Sequence, residues 1–332
     1  MHAHNEHEVC VKQLVTSASG ALGSLTMKFH QAGGMDYKVF SKLYESLIVP
    51  ICTYGSAIWG HKHYKQIDGI QLKAQKSFLG LHRTAPNIAA SGDVGCPSCF
   101  SRQFSECYRL NIRLTNMDSH RITKIIYKHN KSFRSSQDQC NIRLFKDLNL
   151  TCDFANYKTK EAIKMKIKSV QQQVDDSEQC IWFSKLWDDR RNKENGNKLR
   201  LYRVYKDKIK TEQYVLQNMP KHYRKSLAKF RSGTLQIRVE TGRYENVPLQ
   251  DRICKFCSSG SIEDEQHVLI DCELYNDLRY KLFQQMKDLD KEFTVISPFE
   301  QFKCIMSNTN VQYVLAQFIF KLIQRRKIHD VF

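Results

Sequence analysis

The C-terminal third of the chain contains the stretch Cys254-Lys-Phe-Cys257-Ser-Ser-Gly-Ser-Ile-Glu-Asp-Glu-Gln-His267-Val-Leu-Ile-Asp-Cys272. Its spacing, C-x2-C-x9-H-x4-C, puts the first two thiols on one turn and the last two ligands about one helical turn apart. Three sulfurs and one nitrogen form a closed tetrahedral set that suits Zn²⁺ and leaves no coordination position open for chemistry. We predict a structural zinc site at Cys254, Cys257, His267 and Cys272, with reduced, partly buried thiols as the alternative.

The charge balance of the chain points to a polyanionic partner. There are 52 Lys and Arg against 34 Asp and Glu in 332 residues, a formal net charge of +18. Nucleic acid is the most common partner of so basic a protein. The alternative is a basic surface that only keeps the protein in solution.

The positive charge is concentrated in residues 190–231, which hold 14 Lys and Arg, three Asp and Glu, and interleaved tyrosines. Cations displace counterions from phosphates, and aromatic rings stack on unpaired bases. A solvated helix surface with half-buried core tyrosines is the competing interpretation. We predict that RNA or DNA is bound by this segment and its continuation, through Arg190, Arg191, Lys198, Arg200, Arg203, Lys206, Lys208, Lys210, Arg224, Lys225, Lys229, Arg231 and Arg243.

The remaining composition favours a helical, intracellular protein. Only 14 Gly and 6 Pro interrupt the chain, which favours long helices. The most apolar run, residues 47–59, is too short to cross a membrane, and the N-terminus has no secretion signal. We therefore expect no membrane partner, a nuclear or cytoplasmic location, and reduced cysteines. A second C-x2-C, Cys96 and Cys99 with Cys107 downstream, has no matched partner pair, so we expect free thiols there.

An ordered series of short segments resembles the region that follows the catalytic palm in reverse transcriptases of LINE-type (non-LTR) retrotransposons. The resemblance covers about residues 12–280 and ends in the Cys/His array. Within this array, Asp264-Glu265 lies just before His267. The other matching segments, in chain order, are Leu43-Tyr44, Pro50, Tyr54-Gly55, Trp59-Gly60, Ile70-Gln71, Phe78-Leu79-Gly80, Ala85-Pro86-Asn87, Gly92-Asp93-Val94-Gly95, Leu227–Arg231 and Val239–Tyr244.

The resemblance implies a mainly α fold made of a thumb-like helical bundle, a helical connector, a small CCHC zinc knuckle and C-terminal helices. We place the bundle at residues 1–92, the connector at 93–189, a basic nucleic-acid-binding segment at 190–246, the knuckle at 247–280 and the C-terminal helices at 281–332. It also implies nucleic acid, and other retrotransposon proteins, as partners.

The chain departs from this family in its catalytic chemistry. The palm of the family carries paired aspartates in a Tyr/Phe-x-Asp-Asp strand, and no such motif occurs here. The pairs Asp175-Asp176 and Asp188-Asp189 follow helical patterns, whereas two-metal polymerisation needs carboxylates on a rigid strand platform. We therefore predict a binding fragment with no polymerase or nuclease site. The alternatives are a helical protein-interaction protein or a decayed element fragment.

Overall fold

The computed structural model describes residues 7–133, 136–151, 153–190 and 196–329. Over these residues the chain is mainly helical, and its one pairing of extended segments is an isolated antiparallel bridge between Ile253 and Ile262. The prediction of a mainly α fold is thereby confirmed. No helix in this described part of the chain is both long and apolar enough to cross a membrane.

The first half of the chain forms ten helices within the described residues. They are α1 (Glu8–Gln31), α2 (Tyr37–Leu47), α3 (Val49–Cys52), α4 (Ser56–Trp59), α5 (Lys65–Leu79), α6 (Asn87–Val94), α7 (Cys99–Thr115), α8 (Ile122–Ser132), α9 (Ser136–Asp147) and α10 (Lys160–Leu186).

The second half contains shorter helices and several single turns. The α-helices are α11 (Tyr202–Tyr205), α12 (Gln213–Leu216), α13 (Lys221–Arg231), α14 (Arg238–Tyr244), α15 (Asn276–Leu289), α16 (Pro298–Ser307) and α17 (Gln312–His329). A π-turn spans His267–Asp271, and 3₁₀ turns span Leu249–Asp251, Glu273–Tyr275 and Lys291–Thr294.

The chain divides into two compact units built from discontinuous segments. Unit 1 comprises Met1–Leu25, Lys42–Gln71 and Pro97–Ile181; unit 2 comprises Thr26–Ser41, Leu72–Cys96 and Trp182–Phe332. The five-segment division by sequence stays a prediction, and its first boundary, between residues 92 and 93, falls inside α6.

The core of unit 1 forms from apolar faces of α7 and of α10. On both helices the apolar side chains recur every three or four residues, so they line one side. The ring of Tyr108 lies edge-on to Phe154 with centroids 5.0 Å apart, and its hydroxyl donates to the carbonyl of Thr151 over 2.7 Å. The buried members of this core are Phe100, Phe104, Tyr108, Ile112, Phe145, Leu150, Phe154, Ile167, Val170 and Val174.

Unit 1 also holds a carboxyl group with an unusual protonation. Burial, followed by repulsion from Asp175 and Asp68, raises the pKa of Glu178 to about 7, although a hydrogen bond from Ser98 and the nearby His63 act in the opposite direction. The folded chain therefore holds this proton more tightly than the unfolded chain does. Such a group makes stability depend on pH.

Replacing Glu178 by glutamine is expected to remove part of the pH dependence of unit 1. The unfolded carboxyl ionises near pH 4.3, before the folded one, so wild-type stability falls as pH rises from about 4 towards 7. At pH 8 the variant should be more stable by on the order of 2 kcal/mol, measured by hydrogen exchange of the α10 amides. Glu161→Gln, at an exposed position of the same helix, should keep the wild-type profile. Identical pH profiles for wild type and Glu178→Gln would refute the assignment.

Unit 2 is organised around one buried carboxylate. Asp93, only 2% exposed, accepts hydrogen bonds from Nε and Nη2 of Arg231, at 2.8 and 2.9 Å, and from the hydroxyls of Tyr202 and Tyr214, at 2.9 and 2.8 Å. Burial alone would raise the pKa of this carboxyl. The positive charges of Arg231 and Lys206, with the Tyr214 hydroxyl, outweigh burial and hold the pKa below its usual range.

The backbone around Asp93 is closely covered by the segment before α12. The amide of Lys210 donates to the carbonyl of Gly92 over 3.3 Å, and that of Glu212 donates to the carbonyl of Asp93 over 2.9 Å. Gly95 has φ +62°, and a Cβ there would lie 2.1 Å from the backbone nitrogen of Thr211. Only glycine fits this position, which gives the Gly92-Asp93-Val94-Gly95 segment a structural explanation.

Candidate metal centre and basic surface

Two backbone turns bring together the Cys/His cluster, which consists of Cys254, Cys257, His267 and Cys272. In the first, the Cys254 amide donates to the carbonyl of Ser261 over 2.9 Å, which folds the loop back over the C-x2-C pair. The second is the π-turn, where the Cys272 amide donates to the carbonyl of His267 over 2.8 Å. Because this turn closes from residue i to i+5, it places ligands five residues apart next to each other.

The geometry of the cluster fits a tetrahedral metal ion. All four ligand atoms lie within 4.8 Å of one another. The Sγ atoms of Cys254 and Cys272 are 3.9 Å apart, and Sγ of Cys257 is 3.4 Å from Nε2 of His267. Bond lengths to Zn²⁺ place two thiolates about 3.8 Å apart and a thiolate and an imidazole nitrogen about 3.6 Å apart. The four side chains are therefore close enough, and correctly spaced, to hold a metal ion.

Contacts within the cluster shift the pKa values of Cys254, His267 and Cys272. A hydrogen bond with Cys272, together with burial, raises the pKa of Cys254 to about 12, and the same hydrogen bond lowers the pKa of Cys272. Burial lowers the pKa of His267, but contacts with Cys254 and Cys257 outweigh it and raise the value to about 9. A bound dication would reverse this balance, because it binds thiolates and neutral imidazole. His267 Nδ1 is buried without a hydrogen-bond partner in the described residues, so it lacks the support usual for metal-bound histidine.

A buried ion pair fastens the cluster to α17. The carboxylate of Glu263 pairs with Arg326 and also accepts from the amide of Arg238 at 2.6 Å. The Arg326 guanidinium lies 4.8 Å from the ring centroid of Phe256, the residue just before Cys257. The C-x2-C loop is thus held against the C-terminal helix by both charge and stacking.

Three of the predicted nucleic-acid-binding residues are buried: Lys206, Arg224 and Arg231. Lys206 pairs with Glu212, and Arg231 belongs to the Asp93 network. The Arg224 guanidinium lies 4.0 Å from the centroid of the Phe78 ring and donates to the carbonyl of that residue over 3.2 Å. These three side chains are buried in unit 2 and contact other residues of its interior, so a phosphate cannot reach them.

A second group of predicted residues is partly exposed, but its members are paired with carboxylates. Lys198 and Arg243 pair with Glu240, Arg200 pairs with Glu265, Arg203 pairs with Asp189, and the exposed Arg190 pairs with Asp188. Arg191 lies outside the described residues. Much of the positive charge of residues 190–231 is therefore neutralised within the fold.

The remaining predicted residues, Lys208, Lys210, Lys225 and Lys229, are exposed or half-exposed and pair with no carboxylate among the described residues. Lys225 and Lys229 follow Lys221 at intervals of four on α13, so the three share one helix face. Burial, then repulsion from Lys225 and Lys327, lowers the pKa of Lys229. Lys327 on α17 therefore extends this lysine row, which we define as Lys221, Lys225, Lys229 and Lys327. The four-residue spacing could have identified Lys221 from sequence; only packing identifies Lys327.

The second C-x2-C does not form a comparable cluster. Cys96, Cys99 and Cys107 are in no disulfide within the described residues, and the metal-ligating side chains of those residues gather closely only at the Cys/His cluster. Cys99 and Cys107 are buried. A hydrogen bond with Cys52, followed by burial, raises the pKa of Cys99, and burial raises the pKa of Cys107 to about 12.

These features define a mainly helical protein with a Cys₃His cluster whose geometry fits a metal ion. The same unit carries a lysine row with no carboxylate partner among the described residues, in which Nζ of Lys221 lies 2.6 Å from Nδ1 of His30. Comparison with protein-family models, with curated proteins and with solved structures finds no match.

Proposed function

We propose that this chain binds nucleic acid through a cationic surface that a structural zinc knuckle helps to hold in place. It would correspond to the region after the palm of a LINE-type reverse transcriptase, with a binding rather than a catalytic role. The observation that carries the proposal is the lysine row on α13 and α17. Its four cations have no carboxylate partner among the described residues, in a fold that pairs most other cations of the basic segment.

The position of the row supports this role. Lys327 follows Arg326, the residue that pairs with Glu263 beside the Cys/His cluster. Helix α17 therefore contacts the cluster and also carries one lysine of the row. The first turn of α13 contains no acidic residue that would repel phosphates. A phosphodiester backbone that lies along α13 would meet a lysine at each turn, and counterion release would supply the affinity.

Zinc is the metal that this donor set favours. Three thiolates and one imidazole in tetrahedral spacing are typical of structural Zn²⁺ sites, which keep no open coordination position. Cys254, Cys257, His267 and Cys272 would hold the ion. Its binding free energy would then contribute to folding of the surrounding turns.

The combined substitution Lys221→Gln, Lys225→Gln and Lys229→Gln should weaken binding to RNA and DNA by about tenfold at low salt and lower the salt slope by about two. The loss should be similar for all sequences, because phosphate contacts carry no sequence information. Fluorescence anisotropy over a salt series measures both quantities. The control is Lys42→Gln, Lys65→Gln and Lys73→Gln, which removes the same charge from exposed sites. Absent or salt-independent binding, or an equal loss in the control, would contradict the proposal.

A protein-interaction function is the second candidate, and an exposed apolar face on α8 favours it. Ile122, Ile125, Ile126 and the adjacent Phe133 are between 53% and 75% exposed. Pull-down from nuclease-treated extract separates the two functions, since partners held only through nucleic acid would disappear.

A further inference from the structure

A groove of about 570 Å³ lies in unit 2 beside the Cys/His cluster. It runs along one face of α15 and is bordered by the first turn of α16 and by the end of the π-turn. Its volume is in the range of pockets that hold small ligands. The side chains that matter for its chemistry are Asn276, Tyr280, Phe283, Gln284, Lys287 and Gln301.

The groove offers a free aromatic face on a rigid support. Tyr280 is 69% exposed, and its hydroxyl has no hydrogen-bond partner among the described residues. One turn further, Phe283 is half-buried and lies edge-on to Phe293, with centroids 5.3 Å apart. An exposed tyrosine on an ordered helix provides a flat apolar surface at little entropic cost, and such rings stack on nucleobases.

The same groove presents amide groups with unused hydrogen-bonding capacity. The Asn276 oxygen accepts from Nη1 of Arg279 at 2.6 Å, which leaves its NH₂ group to donate. Gln301 donates to the carbonyl of Phe293 at 2.9 Å, which leaves its oxygen to accept. Gln284 makes no hydrogen bond within the described residues. Donors and acceptors around a stacking surface are what the edge of an unpaired base requires.

The charge around the groove fits a nucleotide. Lys287 lies at one end, exposed and without a carboxylate partner among the described residues, where it can contact a phosphate. Asp271, at the rim, can accept from an amino group of a base. Arg279 is 6% exposed and donates to the carbonyl of Cys272 over 2.6 Å, so the groove is tied directly to the cluster.

We propose that this groove holds an unpaired nucleotide of a single-stranded nucleic acid, with its base stacked on Tyr280. The inference rests on the proposed function and deepens it: the lysine row supplies affinity for any phosphate backbone, and the groove selects strands with accessible bases. A duplex keeps its bases stacked and cannot offer one to Tyr280.

The test uses the full chain and three probes of equal length: a single-stranded oligonucleotide, the same strand with abasic residues, and a duplex. Tyr280→Ala should weaken binding of the base-bearing strand by about tenfold and leave the other two unchanged. Tyr280→Phe should retain wild-type affinity because it keeps the ring. Tyr54→Ala, at an exposed tyrosine of unit 1, is the control and should bind all three probes normally.

Two results overturn the inference while the proposed function stands. In the first, Tyr280→Ala binds the base-bearing strand as tightly as the wild type does; in the second, it loses the same affinity for all three probes. In both cases the lysine-row substitutions still weaken binding as predicted above. Binding of no probe by the wild-type chain overturns both. Circular dichroism of Tyr280→Ala checks that the fold is intact, as expected for an exposed side chain.

Discussion

Replacing Cys257 by serine is expected to leave the purified protein without a bound metal ion. The serine hydroxyl is a poor ligand for a soft-donor site, and the remaining two thiols and one histidine cannot close the tetrahedron. Structural zinc contributes about 10–16 kcal/mol of apparent binding free energy in small metal-dependent folds. Its loss should therefore exceed the effect of an ordinary core substitution. We expect the turns at residues 252–275 to lose protection from hydrogen exchange, together with the end of α17 that Arg326 fastens to them.

The measurement is metal content by native mass spectrometry, which should fall from one ion per chain to none. Cys304→Ser is the matched control, because Cys304 is a half-buried thiol of unit 2 outside the cluster. A chelator should remove the metal ion from the wild-type chain, and added Zn²⁺ should restore metal binding. Acidification should also release the metal, since protons compete for the thiolates and the imidazole. One metal per chain in Cys257→Ser would show that the ligand assignment is wrong.

Asp93→Asn is expected to lower the free energy of unfolding of unit 2 by about 3 kcal/mol, because the buried Arg231 charge loses its two-pronged carboxylate partner. It keeps only a 3.4 Å contact with Glu212, a carboxylate that also pairs with Lys206. Arg231 is 3% exposed and lies between the rings of Tyr205 and Tyr214, at 5.0 and 5.5 Å. Solvent therefore cannot replace the lost carboxylate. The two tyrosine hydroxyls that donate to Asp93 would lose a charged acceptor as well.

This effect is measured by urea unfolding, with hydrogen exchange of the α6 and α13 amides as the readout. The double variant Asp93→Asn, Arg231→Met removes both charges and should recover part of the loss, since apolar replacement of a buried pair is often close to neutral. Lys303→Gln is the control, because its pairing with Glu300 is half-exposed and should contribute less than about 1 kcal/mol. A loss below about 1 kcal/mol for the single variant would contradict the role of this network.

The same network makes the stability of unit 2 fall at low pH. Arg231 depresses the folded pKa of Asp93, so the stabilisation is complete above the unfolded pKa of about 3.9 and is lost as pH falls through the lower folded value. Glu178 in unit 1 has the opposite sign: its folded pKa is raised, so its stabilisation is lost as pH rises from about 4 to about 7. The two carboxyls therefore predict different pH responses for the two units.

Local patterns predicted the helical fold, and they identified the four side chains that lie close enough to hold a metal ion. Apolar residues spaced three or four apart predict a helix over residues 11–30, and α1 is observed as Glu8–Gln31. Asp36 is an N-cap candidate by residue type, and it accepts from the Val39 amide at 2.8 Å at the start of α2. The four ligands of the cluster lie within one short segment, where spacing alone limits which side chains can meet. Periodicity and ligand spacing act over a few residues, so they can be read from the sequence.

By itself the sequence thus determined a mainly helical chain, four positions that could hold a metal ion and an excess of positive charge. Only the tertiary structure decided which of those charges are available. Arg231 and Asp93 are 138 residues apart in the chain, and no local rule pairs them, because partners of this kind are chosen when distant segments share one core. The same packing buried Arg224 and Lys206, added Lys327 to the lysines of α13, and formed the groove around Tyr280.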